Sequence, residues 1–203
     1  MRCQATTSGL VWQPMPVKAT AEERSALLGT WKAIAGSQAG YRMREIFVGG
    51  AAKSEAVGRT SDVVGSFVID TKNGSLRVRS AKIVVGIGSL TSDKPGRDDW
   101  LKTNALQTSV HTSAVFELTE ELSIGATRDG EVMKRDMQGR LSLHGVTGPV
   151  AISIQARRTG DLIDIVGSTR IVLADFGIET PFVPGIVSTD DTGLLEFALV
   201  LKR

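Results

Sequence analysis

His111 and His144 are the side chains in this 203-residue sequence best suited to acid–base or metal chemistry. An imidazole titrates near neutral pH and is a common metal ligand. Neither has a second His, a Cys or a carboxylate at ligand spacing, so a two-histidine site would have to assemble in space. His144 precedes the run Gly145-Val146-Thr147-Gly148-Pro149, where a polar side chain can bond turn backbone. His111 lies in a polar stretch ahead of a strand, where it would meet water. The other candidates are weaker still. Gly86-Ile87-Gly88 lacks the third glycine of a dinucleotide fingerprint and opens no βαβ unit, so it reads as strand glycine that permits bending and close backbone approach. Asp98 and Asp99 are adjacent, and adjacent residues of a helix point apart, which defeats paired-carboxylate chemistry. No Gly-x-Ser-x-Gly elbow and no phosphate loop is present. Asn73-Gly74-Ser75 matches a glycosylation sequon in form, but Asn-Gly is better read as a tight turn. With no catalytic constellation, the expectation is a protein that is not an enzyme and needs no cofactor or metal.

Cys3 is the one cysteine, so no internal disulfide exists to report on compartment. The first residues carry no apolar h-region, and no stretch approaches the about 20 apolar residues of a membrane helix. Cys3 is either the acylated residue of an exported lipoprotein or a free thiol in an N-terminal leader. The net charge of +2 is small and dispersed, and aromatics are not interleaved with Lys or Arg, which argues against nucleic acid.

The elements that must position these residues follow a period of two. Residues 1–20, with Ser8, Pro14 and Pro16 and an isolated Trp12, read as a leader or linker, and 21–203 as a single domain. Thr20 and Glu23 make a capping box for a short helix over 20–28. From Gly29 on, apolar residues alternate. Tyr41, Met43 and Phe47 share a face that Glu45 interrupts, and Val63, Phe67 and Ile69 share another. Asn73-Gly74 joins two such runs as a hairpin. The apolar parity then moves from Leu76 and Val78 to Ala81, Ile83 and Val85, which means a bulge or a bend. A helix over 96–106 follows Pro95, with Trp100, Leu101 and Ala105 on one face. Strand patterns resume at Ala114, Phe116 and Leu118, at Leu141 and Leu143, at Ile152 and Ile154, over 162–173, and at Leu195, Phe197, Leu199 and Leu201. The fold class is therefore all-β: an antiparallel barrel of eight strands, give or take one, with one internal helix. Such a barrel either fills with side chains or holds one small ligand, and periodicity alone does not separate the two.

Four segments in order resemble the YceI-like family, the bacterial polyisoprenoid-binding, lipocalin-like proteins. They are Gly29-Thr30-Trp31 with Gln38-Ala39-Gly40-Tyr41-Arg42 and Glu45; Gly58-Arg59-Thr60-Ser61-Asp62-Val63-Val64-Gly65-Ser66-Phe67; Arg97-Asp98-Asp99-Trp100-Leu101-Lys102; and 139–150 (GRLSLHGVTGPV) with Asp175-Phe176-Gly177-Ile178. The departures are 104–112 (NALQTSVHT), where the family has an aromatic-rich stretch, and Ala35-Gly36-Ser37-Gln38, where it has Asp-x-x-His-Ser. The resemblance implies the 96–106 helix over one barrel end, an isoprenoid or similar lipid or quinone inside, and export to the periplasm or cell surface. It carries over no catalytic residues and leaves a homodimer open. Parity within that barrel nominates Tyr41, Met43, Phe47, Phe67, Phe116, Ile152, Ile154, Phe176 and Phe197 as cavity-facing, with Trp100 and Leu101 capping from the helix. A polar head group would sit near Arg42, Arg44 or Arg97. The competing readings are a filled-barrel structural or interaction module, and, further off, an enzyme on a lipid using His111 or His144.

Overall fold

The computed structural model describes residues 2–6, 9–13, 19–47, 53–125, 128–180, 182–183 and 187–203. Eight barrel strands run in chain order. Strand β1 is Gly29–Ala33 continued by Gln38–Phe47, and β2 is Lys53–Thr60 continued by Val63–Lys72. Then come β3 (Ser75–Gly86), β4 (Ser113–Leu118), β5 (Val132–Leu143), β6 (Val146–Thr159), β7 (Leu162–Val172) and β8 (Thr192–Lys202). Each pairs antiparallel with the next, and β8 pairs with both β7 and β1. The sheet is thus an up-and-down meander closed on itself, which leaves no long free edge. Short strands Leu122–Ser123, Phe182–Val183 and Val187–Thr189 extend it locally.

Local sequence accounts for the bends. The β2–β3 turn places Asn73 at φ 51° and Gly74 at φ 75°, both left-handed, as a two-residue hairpin turn demands. The parity change in β3 is a bulge: Val68 faces Ser80 but Ile69 faces Val78, leaving Arg79 as the extra residue. Gly86 lies where a Cβ would collide with Asp62, the close approach its type suggests.

Two short helices close the ends. Helix α1 (Ala21–Ser25) has the full Thr20/Glu23 capping box. Helix α2 (Pro95–Trp100), with Pro95 in its first turn, runs on into a π-type turn over Leu101–Ala105, in which Leu106 N–H donates to Leu101 C=O. Within the stretch expected to be a leader, Arg2–Thr6 and Gly9–Gln13 pair as a hairpin in a sheet of their own, with Cys3 opposite Trp12. Ser8, Pro14, Pro16 and the side chains of Cys3 and Trp12 lie outside the described residues.

The interior divides into two apolar clusters. At the α1 end, Leu27, Trp31, Phe67, Leu76, Met137, Leu199 and Leu201 pack together with neighbouring strand residues. Leu27 plugs this end, and its carbonyl accepts from the Trp31 indole N–H at 2.8 Å. Burying each such side chain contributes about 1.5–3 kcal/mol. At the α2 end, Tyr41, Met43, Leu101, Leu141, Ile171 and Phe176 belong to a second cluster.

Candidate functional site

Between the second cluster and the middle of the barrel lies a cavity of about 140 Å³. Strand β1 contributes Tyr41 and Met43, β3 contributes Ile83 and Val85, and β4 contributes Ala114 and Phe116. Leu141, Leu143 and Ile152 come from β5 and β6, Ile171 from β7, and Gly193, Leu195 and Phe197 from β8. Leu101, Ala105 and Leu106 close it from α2 and its π-type turn, with Ile87 and Leu90 beside them. A smaller cavity of about 60 Å³ lies in the α1 half. The barrel is therefore more nearly filled at the α1 end and more hollow at the α2 end.

Glycines opposite aromatics keep the wall thin. A Cβ on Gly58, on Gly139 or on Gly167 would collide with the ring of Tyr41, Phe116 or Phe197 respectively. Each ring lies over a position with no side chain, an arrangement that pins register and lays the ring along the wall.

Of the residues nominated from parity, Tyr41, Met43, Leu101, Phe116, Ile152 and Phe197 line the cavity. Phe67 and Ile154 face inward but belong to the filled α1 half and line the smaller cavity, because they lie nearer the α1 end of their strands. Phe176 is buried within the second cluster and Trp100 packs against it, both behind the lining. The side chain of Phe47 lies outside the described residues. Sequence reasoning passed over Leu195, which shares the parity of Phe197 on β8, and Leu141 and Leu143, which alternate on β5, where no residue was nominated. It also missed Ile87 and Leu90, which lie in and just after a 3₁₀ turn that no strand or helix period reports.

Glu45, the residue that interrupts the apolar face of β1, is buried and meets Arg97 of α2. Arg97 Nε donates to Glu45 Oε1 at 2.9 Å and Nη2 to Oε2 at 3.0 Å. Ser54 Oγ donates to the same carboxylate at 2.9 Å. Arg97 Nη1 also donates to Asp93 at 2.7 Å. Buried Asp98 accepts from Ser92 N–H at 2.8 Å and Ser92 Oγ at 2.6 Å, fixing the start of α2. A bidentate guanidinium–carboxylate pair thus ties the lid helix to the barrel wall.

All three arginines considered for a head group are matched by carboxylates. Arg97 pairs with Glu45 and Asp93, Arg42 with Glu55 and Glu196, and Arg44 with Asp190 at 3.7 Å. The Tyr41 hydroxyl, by contrast, is buried and has no hydrogen-bond partner among the described residues. Burial pushes its pKa up to about 12 from an ordinary 10.0, so it stays neutral at physiological pH.

The fold brings together the two histidines that the sequence separates. Their ring centroids are 4.7 Å apart in an edge-on contact. His111, expected to be solvated, is half-buried against Gly145. His144 Nδ1 lies 3.2 Å from the Phe176 carbonyl, and His144 takes φ 51° in the β5–β6 turn. No group of three or more His, Cys, Asp or Glu side chains able to hold a metal occurs among the described residues. No helix among them is long and apolar enough to cross a membrane.

Comparison with known proteins agrees with this geometry. The chain is similar to a UPF0312 protein of Pseudomonas aeruginosa, 32% identical over 134 residues, covering 63% of this chain and 65% of that protein. It is similar to a UPF0312 protein of Vibrio parahaemolyticus, 31% identical over 128 residues, covering 60% and 64%. The match thus spans a little under two thirds of these relatives' length. A polyisoprenoid binding domain from Saccharophagus degradans, described as implicated in plant cell wall breakdown, superposes with TM-score 0.64 at 17% identity, covering 87% of this chain and 99% of that one. Burkholderia cenocepacia BcnA superposes with TM-score 0.58 at 16% identity, covering 82% and 96%. At these identities the two structures speak to the fold. The YceI-like domain model matches residues 34–201, from the bend in β1 to the end of β8, and on that match the chain belongs to the YceI-like family.

Proposed function

We propose that this protein binds an apolar chain lipid, a polyisoprenoid or a similar lipid or quinone, inside its barrel and carries it without altering it. The observation that carries this reading is the apolar cavity of about 140 Å³ beneath α2, larger than the cavity of about 60 Å³ in the more closely packed α1 half. A well-packed core leaves few voids larger than a water molecule, and an empty apolar cavity costs stability in proportion to its volume. A cavity retained at that cost is a default binding site. Membership of the YceI-like family supports the same reading, as does the polyisoprenoid binding named for the Saccharophagus degradans domain.

Volume limits how the ligand sits. A cavity of about 140 Å³ is close to one that holds a single benzene ring. A long chain would therefore enter with displacement of the α2 lid or of flexible lining such as Met43 and Leu101. Affinity would be spread over many apolar contacts and tolerant of tail length. Carriage of such a lipid suits the periplasm or the cell surface, which fractionation of the native host would test.

Gly193 offers a direct test. It lines the cavity, its φ is not left-handed, and a Cβ there would meet only ordinary contacts with Leu173 and Met43. In Gly193→Leu the new side chain grows into the cavity. The expected result is a ligand-free protein at least as stable as wild type that has lost isoprenoid binding, read by native mass spectrometry of gently purified protein. Wild-type protein that neither carries lipid on purification nor shows a thermal shift with long isoprenoids would overturn the carrier reading in favour of a structural module.

A further inference from the structure

We infer that the Tyr41 hydroxyl is the polar anchor of this cavity, and that it selects a ligand bearing one uncharged oxygen, such as an alcohol, ether, ester or ring carbonyl. The inference rests on the carrier reading and deepens it. Tyr41 is 8% exposed and lines the cavity, with its ring over Gly58 of the neighbouring strand. Its oxygen is buried and unpartnered among the described residues. A buried unpaired hydroxyl is a net loss to the folded protein, and such groups in native structures call for a functional explanation. A ligand oxygen that donates to or accepts from the phenol would complete it.

The electrostatics of the same end decide the ligand's charge. Three cations near the lid, Arg97, Arg42 and Arg44, already face Glu45, Asp93, Glu55, Glu196 and Asp190. A pyrophosphate or carboxylate head would have to displace these carboxylates or lie beside them, and like charges at short range repel. The phenol itself offers no compensating charge. A neutral oxygen meets none of these costs, and needs the one hydrogen bond that Tyr41 has left.

The test compares the diterpene alcohol phytol, the hydrocarbon phytane of the same branched skeleton, and geranylgeranyl pyrophosphate, by competition with a fluorescent lipid in non-ionic detergent. Wild type and Tyr41→Phe are measured in parallel, with melting temperatures to verify folding. One neutral hydrogen bond predicts that wild type prefers phytol to phytane by about tenfold, and that Tyr41→Phe narrows this to about twofold or less. The pyrophosphate should bind no better than the alcohol. The ligand-free Tyr41→Phe protein should melt no lower than wild type, since it loses only an unpaired hydroxyl. A phytol preference that is absent in wild type, or that survives in Tyr41→Phe, would overturn the anchor while leaving the carrier reading intact. Tighter binding of the pyrophosphate would overturn the neutral-ligand assignment. Failure of wild type to bind any of the three would overturn the carrier reading and the anchor together.

Discussion

At the scale of single residues, Tyr41 is a position where this barrel departs from an ordinary core. Its hydroxyl is buried without a partner, and burial raises its pKa to about 12. The consequence for stability has a definite sign. The unfolded chain ionises its tyrosine near 10, whereas the folded protein holds the proton to about 12. The stability that depends on neutral Tyr41 is therefore fully present below pH 10 and is lost as pH rises through 12. A shift of this size corresponds to roughly 2–3 kcal/mol. Urea unfolding between pH 9 and 12 should show wild type losing that much more stability than Tyr41→Phe. Because Tyr41 is the chain's single tyrosine, tyrosinate absorbance reads it directly. A midpoint near 10 in the folded protein would contradict the burial argument.

At the scale of elements, the helix over the barrel mouth is held by few contacts of high quality. Arg97 meets buried Glu45 through two hydrogen bonds, and Asp98 holds Ser92 through two more. The segment then loosens into a π-type turn over Leu101–Ala105, a local geometry frequent at functional sites. A lid with a polar tether in its first half and an irregular, apolar second half is suited to opening about the tether. Arg97→Ala would leave the Glu45 carboxylate buried with Ser54 alone, and breaking a buried pair on one side costs about 3–5 kcal/mol. Asp93, which loses its partner at the same time, is exposed and adds little. The expected outcome is that loss together with faster release of bound lipid. The double variant with Glu45→Leu should recover part of the stability but not the slow release. Urea midpoints around that cycle, with stopped-flow release rates, separate the tether from general weakening.

At the scale of the whole molecule, the two barrel halves differ in packing. The α1 half is packed by Leu27, Trp31, Phe67, Met137 and Leu201, while the α2 half carries the cavity. Opening should be confined to the hollow half, because local opening is easiest where fewest apolar contacts are broken. Hydrogen exchange is expected to be slowest across Phe67, Ile165 and Leu199 and faster over 95–112. Bound isoprenoid should slow the latter selectively and raise the melting temperature in proportion to the logarithm of its concentration. Uniform protection across both halves would mean that the barrel opens as one unit.

Much of this was legible in the residues. Period-two alternation gave an eight-stranded antiparallel barrel because a strand's two faces differ at every step. Asn73-Gly74, the parity change around Arg79 and the Thr20/Glu23 box located a hairpin, a bulge and a helix start through purely local chemistry. Parity also turned Tyr41, Met43, Phe116, Ile152 and Phe197 inward, but it could not say at what height along the barrel each would lie. That height separates Phe67 and Ile154, in the filled half, from the cavity lining. It depends on strand tilt and stagger, which are set by closure of the whole sheet. The same closure brought Arg97 to Glu45 and His111 to His144, pairs distant in sequence whose meeting no local period encodes. Sequence alone thus determined which side chains share a face of each regular strand. Only the closed barrel decided which of them pack against one another and which surround a space.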